Sequence, residues 1–229
     1  MASFRGWAWG IGLALAVVGL AAGSPHSEGS PGVDGLDAGN LAPGERVLFD
    51  DDFSGYELRE FPHWWEWVGG VFEVGQQGDD RVIVCLETGA MRPKLRPGPL
   101  PAGYRVEIDF YGNDWGDIDQ YFLLSWTDEP GREIGRLVLN LRGGTQLRLL
   151  DRLAAHRELP APLMGSGLHH LRVRVADARI EVLLDDLEIA STPNPAGFRP
   201  EGFRIGGRIN DEEVPCVFSR FRCVEGAGS

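Results

Sequence analysis

Residues 168–190 read LHHLRVRVADARIEVLLDDLEIA. Leu171, Val173 and Val175 alternate with His170, Arg172 and Arg174, and after Ala176-Asp177-Ala178 the same period of two returns in Ile180, Val182 and Leu184. Successive side chains of a strand point to opposite faces, so this is a half-buried antiparallel hairpin with its apolar face on a core and its charged face in water. Asp185-Asp186 is a second turn signal, and Leu187, Ile189 and Ala190 extend the hairpin to a three-stranded meander.

The same periodicity runs outward from this meander. Alternating or apolar runs lie at 47–53, 65–74, 81–87, 104–111, 119–127, 134–142, 145–150, 202–208 and 214–224, separated by Gly, Pro, Asn and Asp clusters. A short helical turn is expected near 151–158, and no other segment sustains a 3.6-residue period. Ten or more strands in one domain must dispose of their edges by stacking two sheets, so the expected fold is an all-β sandwich or jelly roll.

Ahead of that domain, Arg5, an apolar run from Trp7 to Ala22 and the small residues Ala21-Ala22-Gly23 have the layout of a secretory signal peptide over 1–23. The run is shorter than the roughly 20 residues that cross a bilayer, so no permanent membrane span is expected once the signal is cleaved. Residues 24–45 hold five Gly, three Pro and three Ser with no aromatic residue, the composition of a flexible linker. The domain is then 46–225, long enough for a sizeable core, in a secreted or periplasmic protein.

The formal charge is −12, and removing residues 1–23 takes away Arg5 alone, which leaves −13. Such a balance repels phosphate backbones, so nucleic acid is not an expected partner. The five His have no metal-ligand spacing, and the chain after residue 23 has neither a Gly-rich phosphate loop nor a G-x-S-x-G elbow. No cofactor is called for. The segment Asn113-Asp114-Trp115-Gly116-Asp117-Ile118-Asp119 does offer the hard oxygen donors Asp114, Asp117 and Asp119, which suit Ca²⁺, yet Asn, Asp and Gly in one loop also read as a plain turn. Asn210-Asp211-Glu212-Glu213 carries the same two readings.

Leu48-Phe49-Asp50-Asp51-Asp52-Phe53-Ser54-Gly55, Phe61-Pro62-His63-Trp64-Trp65-Glu66-Trp67-Val68-Gly69-Gly70, Gly167-Leu168-His169-His170, Gly202-Phe203-Arg204-Ile205-Gly206 and Phe218-Ser219-Arg220-Phe221-Arg222 follow one another through about 180 residues. In order and spacing they resemble the concanavalin A-like lectin/glucanase superfamily, and within it the β-sandwich modules found ahead of the peptidoglycan-binding domain in some bacterial OmpA-family proteins. The resemblance implies a concanavalin A-like jelly-roll sandwich of two antiparallel sheets and a surface that faces carbohydrate. No peptidoglycan-binding domain follows in this sequence, so the cell-wall role of those proteins does not carry over.

Strand alternation supplies the candidate site. Val106, Ile108 and Phe110 face a core, which places Glu107, Asp109 and Tyr111 on the opposite face of their strand. Phe122, Leu124 and Trp126 go inward with Leu137, Leu139 and Leu141, so Tyr121, Arg136, Asn140 and Arg148 are expected to join the first three on the outer face of one sheet. Aromatic rings with amide and guanidinium donors are what a sugar's apolar faces and hydroxyls require. Glu107 and Asp109 are also placed as in the catalytic strand of laminarinase-type glycoside hydrolases, where a nucleophile and an acid stand about 5 Å apart. Tyr111 and Gly112 occupy the place of that motif's third acid. The sequence therefore favours a non-catalytic module for a glycan or cell-envelope polysaccharide, and the alternative is a glycoside hydrolase with Glu107 and Asp109 as its carboxylates.

Two further expectations concern packing. Trp65 and Trp67, two apart, should share the core face while Trp64 points away as the freer ring for stacking on sugar. Cys216 and Cys223, seven residues and roughly 23 Å apart along one strand, cannot bond each other, since a disulfide needs Cα atoms within about 7 Å. The candidate bridge is Cys85 with Cys223, and the alternative is three buried thiols.

Overall fold

A computed structural model of the chain describes residues 41–95, 98–112, 120–129, 131–141, 143–159, 167–208 and 215–226. The signal segment 1–23, most of the 24–45 linker, the 113–119 loop with Asp114, Asp117 and Asp119, and 210–213 lie outside the described residues.

Among the described residues there is no helix and there are fifteen strands. In chain order they are β1 (Arg46–Asp51), β2 (Trp65–Gly69), β3 (Phe72–Gln77), β4 (Asp80–Cys85), β5 (Gly89–Pro93), β6 (Tyr104–Gly112), β7 (Tyr121–Thr127), β8 (Glu133–Asn140), β9 (Gly144–Leu149), β10 (Arg152–Arg157), β11 (Gly167–Val175), β12 (Arg179–Leu184), β13 (Leu187–Pro193), β14 (Gly202–Arg208) and β15 (Cys216–Glu225). One sheet runs β13-β12-β11-β6-β15-β4-β3, with β1 also paired to β15; the other runs β10-β9-β8-β7-β14-β5-β2. Every pairing is antiparallel. We call them sheet A and sheet B. This is the jelly-roll sandwich of two antiparallel sheets that the alternation predicts.

The meander forms as read. Leu171 pairs with Leu184, Val173 with Val182 and Val175 with Ile180 on the buried face, and Ala176 and Arg179 close the turn by reciprocal backbone hydrogen bonds of 2.9 and 3.3 Å. Asp185 and Asp186 both take positive φ, 50° and 63°, which the two-residue turn between β12 and β13 requires. Leu150 and Asp151 do the same at 48° and 63°. They turn β9 back into β10, so the helical turn expected near 151–158 is an edge strand instead. Its side chains are exposed or half-buried throughout, so β10 carries no apolar alternation from which a strand could be read.

Between the sheets, aromatic rings interlock. Phe110 of sheet A meets Phe122 of sheet B at 4.1 Å between centroids, and Phe218 packs edge-on to Phe122 at 5.5 Å. Nearer β1, Trp65 stands edge-on to Phe49 at 5.3 Å and to Phe221 at 5.2 Å. Trp65 is buried as expected, whereas Trp67 is 65% exposed and donates its indole N–H to the Gly70 carbonyl at 2.8 Å. β2 is an edge strand whose pairing with β5 stays in register through Trp67 and Met91 and shifts only before Gly69, so regular alternation along this edge strand does not by itself bury Trp67. Trp64 is not the free ring either: it is half-buried against the core edge, its ring 4.8 Å from that of His63.

All three cysteines are free and buried. Cys85 of β4 lies directly opposite Cys216 of β15, while Cys223 lies opposite Val106 of β6. The bridge expected between Cys85 and Cys223 is therefore absent. The strand length that separates Cys216 from Cys223 separates Cys85 from Cys223 as well. Burial pushes the Cys85 thiol up to about 12 and raises the other two as well, which keeps them unreactive.

Candidate functional site

Three central strands of sheet A, β11, β6 and β15, build a charged lattice on the sheet's outer face. Register places His170, Asp109 and Arg220 side by side in one row, and Arg172, Glu107 and Arg222 in the next. A third row begins with Arg174 beside Arg105. In the first two rows each carboxylate stands between basic side chains, the favourable cross-strand arrangement, whereas Arg174 and Arg105 are a like-charge pair.

A bulge makes the third strand fit. Phe218 pairs with Phe110, and the next pair is Arg220 with Asp109, so Ser219 is the extra residue. Without that insertion Arg220 would follow Phe218 into the core. With it, Phe221 and Cys223 turn inward and Arg220 and Arg222 join the outer face.

The lattice lines a cleft of about 560 Å³ that Ala42 and Glu45 bound on one side. Glu107 accepts from Arg105 Nε at 2.9 Å and stands 3.3 Å from Arg172 Nε. Asp109 bonds His170 Nδ1 at 2.5 Å, and this hydrogen bond raises the imidazole's pKa against the opposing pull of its burial. Arg220 forks onto Asp50 of β1 with Nε at 3.1 Å and an Nη at 2.8 Å, and the pairing raises its pKa. Glu45 is bonded to Arg105, and its side chain is only 7% exposed. Burial alone would raise its pKa, but the Ala42 amide and the Arg105 and Arg222 guanidinium groups hold it below the usual carboxylate range.

The predicted set is divided by the fold. Glu107 and Asp109 line the cleft, and Tyr111 sits farther along the same strand with its hydroxyl 3.5 Å from Asp80. Tyr121, Arg136, Asn140 and Arg148 belong to β7, β8 and β9 of sheet B, so they do not share an outer face with the first three. Consecutive strands β6 and β7 cross from one sheet to the other, and alternation within a strand carries no information about which sheet it joins. Of the sheet B group, Tyr121 lies under Arg208 at 5.5 Å in a cation–π contact, Arg136 is tied to Glu133 at 2.8 Å, and Asn140 is buried. Arg148 reaches the Asp151 carbonyl at 3.4 Å.

Arg105, His170, Arg172, Arg174, Arg220 and Arg222 were not in the predicted site. For the β11 residues the signal is the hairpin's own alternation, which already turns His170, Arg172 and Arg174 outward. For β15 it is the pair Arg220 and Arg222 interleaved with Phe221 and Cys223. Among the described residues no group of three or more His, Cys, Asp or Glu is arranged to hold a metal ion.

Chemically, the cleft presents guanidinium forks, carboxylates and an imidazole in alternation. Sugar hydroxyls donate and accept in equal measure, so a surface alternating strong donors with strong acceptors can engage adjacent hydroxyls of one ring. Glu107 and Asp109 have the chemistry of a hydrolase pair, but one oxygen of each is already engaged, Glu107 Oε1 by Arg105 and Arg172 and Asp109 Oδ1 by His170.

No protein-family profile matches the sequence, and no curated protein matches it by sequence. Solved structures do match its fold. The Emp47p carbohydrate recognition domain is similar with a TM-score of 0.56 at 14% identity, over 84% of this chain and 100% of that one. The CBM2 module of the Lactobacillus casei BL23 phage J-1 evolved Dit matches with 0.55 at 10% identity, over 79% and 95%. A glycoside hydrolase family 16 endo-glucanase from Bacteroides ovatus, in complex with G4G3G-2F-DNP, matches with 0.53 at 11% identity, over 77% and 100%. At these identities the likeness is one of fold: the chain has the jelly-roll sandwich of these three proteins.

Proposed function

We propose that this chain is a secreted, non-catalytic carbohydrate-binding module whose ligand surface is the outer face of sheet A. The observation that carries the proposal is the lattice of alternating arginines and carboxylates lining the cleft of about 560 Å³. A carbohydrate recognition domain and a carbohydrate-binding module among the proteins of the same fold support it. Export is supported by Arg5, the apolar run to Ala22 and the small residues that follow.

The second reading is a glycoside hydrolase, favoured by the presence of Glu107 and Asp109 together in the cleft and by the fold shared with the family 16 endo-glucanase. Against it, Arg105 holds one oxygen of Glu107 and His170 one oxygen of Asp109, and no third acid stands at Tyr111 or Gly112. A screen of the full chain against immobilised neutral and acidic polysaccharides, with reducing ends assayed in parallel, separates the two. The expected result is retention without new reducing ends. Reducing ends that appear with the wild type and vanish in Glu107→Gln or Asp109→Asn would install the hydrolase in its place.

A further inference from the structure

Cys85 and Cys216 are the two thiols that the fold brings face to face. β4 and β15 run antiparallel with these residues as direct register partners. Residues so placed have Cα atoms about 4.5–5.5 Å apart, within the range of roughly 4.4–6.8 Å that a disulfide spans. Both side chains are fully buried, so both point into the sandwich from the same side of sheet A.

The facing sheet leaves room for the two sulfurs at one point. β14 passes over them at Gly207, where a Cβ would stand 2.6 Å from Cys216 Sγ and 3.2 Å from Cys85 Sγ. The sulfurs therefore converge on the same spot, and a side chain at 207 would collide with both. Gly207 does not have a positive φ, so the backbone does not call for glycine there; the sulfur pair does. Cys223 has no such partner, since its neighbours across the sheet are Val106 of β6 and Phe49 of β1.

We propose that Cys85 and Cys216 form an intramolecular disulfide in an oxidising compartment, which ties β4 to β15 and closes a loop that takes in β5 through β14, while Cys223 stays a thiol. The reaction is exchange with a low-molecular-weight disulfide such as oxidised glutathione. The thiolate of one cysteine attacks a glutathione sulfur, the S–S bond of glutathione breaks, and one glutathione leaves. The second cysteine then attacks the cysteine sulfur of the mixed disulfide and expels the other. The two cysteine sulfurs are oxidised, the two glutathione sulfurs are reduced, and the two thiol protons end on the released glutathiones.

In the folded, reduced chain this exchange is blocked. Burial raises the pKa of both thiols, and for Cys216 the neighbouring Cys85 raises it further. Each thiol donates to a carbonyl, Cys85 to Glu87 at 3.2 Å and Cys216 to Tyr121 at 3.1 Å. The bond therefore forms before β15 closes on β4, and once covered it is out of reach of external thiols. The oxidising setting is the one that the proposed export supplies, but the pairing can be tested in solution whatever the chain binds.

For the test, the full chain is denatured, reduced and refolded in a glutathione redox buffer and, in parallel, in excess reductant. Trypsin cuts after Arg220 and Arg222, so Cys216 and Cys223 fall in different peptides. Non-reducing peptide mapping of the first sample should find a crosslink joining Cys85 to Cys216, with Cys223 the one thiol that is alkylated after unfolding without reductant. The melting temperature should lie about 5–15 °C above that of the reduced sample, because the bond restricts the unfolded chain. Cys223→Ala should keep the crosslink and Cys216→Ala should lose it; if either variant does not fold, the wild-type map decides alone. Three alkylatable thiols after refolding in the redox buffer would overturn the inference, as would a crosslink that involves Cys223 or glutathione left attached to Cys85 or Cys216.

Discussion

Trp65→Ala is expected to destabilise the protein by about 3–5 kcal/mol, the range for deleting a large aromatic side chain from a packed core. In a domain of this size each kcal/mol moves the melting temperature by about 2–4 °C, so a fall of about 6–20 °C should be seen. Two separate losses add here. Trp65 fills the space between Phe49, Phe53 and Phe221, and its indole N–H donates to Asp51 Oδ2 at 2.8 Å. Asp51 is a half-buried carboxylate whose pKa burial raises despite three donors, the Tyr56 hydroxyl, the Trp65 indole and the Phe53 amide. Taking one donor away leaves it less well compensated. Trp67→Ala, only two residues along, should stay within about 0.5 kcal/mol of wild type, because that ring is 65% exposed. Thermal melts of the two variants check that only Trp65 is a core ring, and equal losses would place both rings in the core.

The second large effect is on binding. Arg172→Ala should weaken retention of polysaccharide about 10- to 100-fold, since a hydrogen bond from a charged donor contributes about 1.5–3 kcal/mol and each 1.4 kcal/mol is a factor of ten. Stability should change little. Glu107 keeps Arg105 as a partner, and the other acceptor of Arg172, Asp186, is 80% exposed. Arg148→Ala on sheet B is the matched control and should bind as the wild type does. Affinity electrophoresis in gels containing the retained polysaccharide reads both variants at once, and the opposite order would move the ligand surface to sheet B.

What could be read from the sequence followed the apolar alternation. The β11–β13 meander was legible because Leu171, Val173, Val175, Ile180, Val182 and Leu184 are all buried at the expected spacing. β14 was equally plain. β5 is short and β10 has no buried side chain, so neither left a periodic trace. The candidate site was half legible. Glu107 and Asp109 are where the alternation of β6 puts them, but Tyr121, Arg136, Asn140 and Arg148 were assigned to their side although β7, β8 and β9 lie in the other sheet. The outward turn of Arg220 and Arg222 depends on the extra residue at Ser219, and nothing local to Phe218-Ser219-Arg220-Phe221 distinguishes a bulge from a regular strand.

The arginines themselves give the most direct readout of where a saccharide binds, because both outer faces carry them and each Nε–H gives its own resonance. Titrating the ¹⁵N-labelled full chain with the oligosaccharide that the screen retains should shift the Nε–H signals of Arg172, Arg174 and Arg220 and leave those of Arg136, Arg148 and Arg208 in place. Shifts confined to Arg136, Arg148 and Arg208, with the cleft signals unmoved, would contradict the assignment of the ligand surface to sheet A.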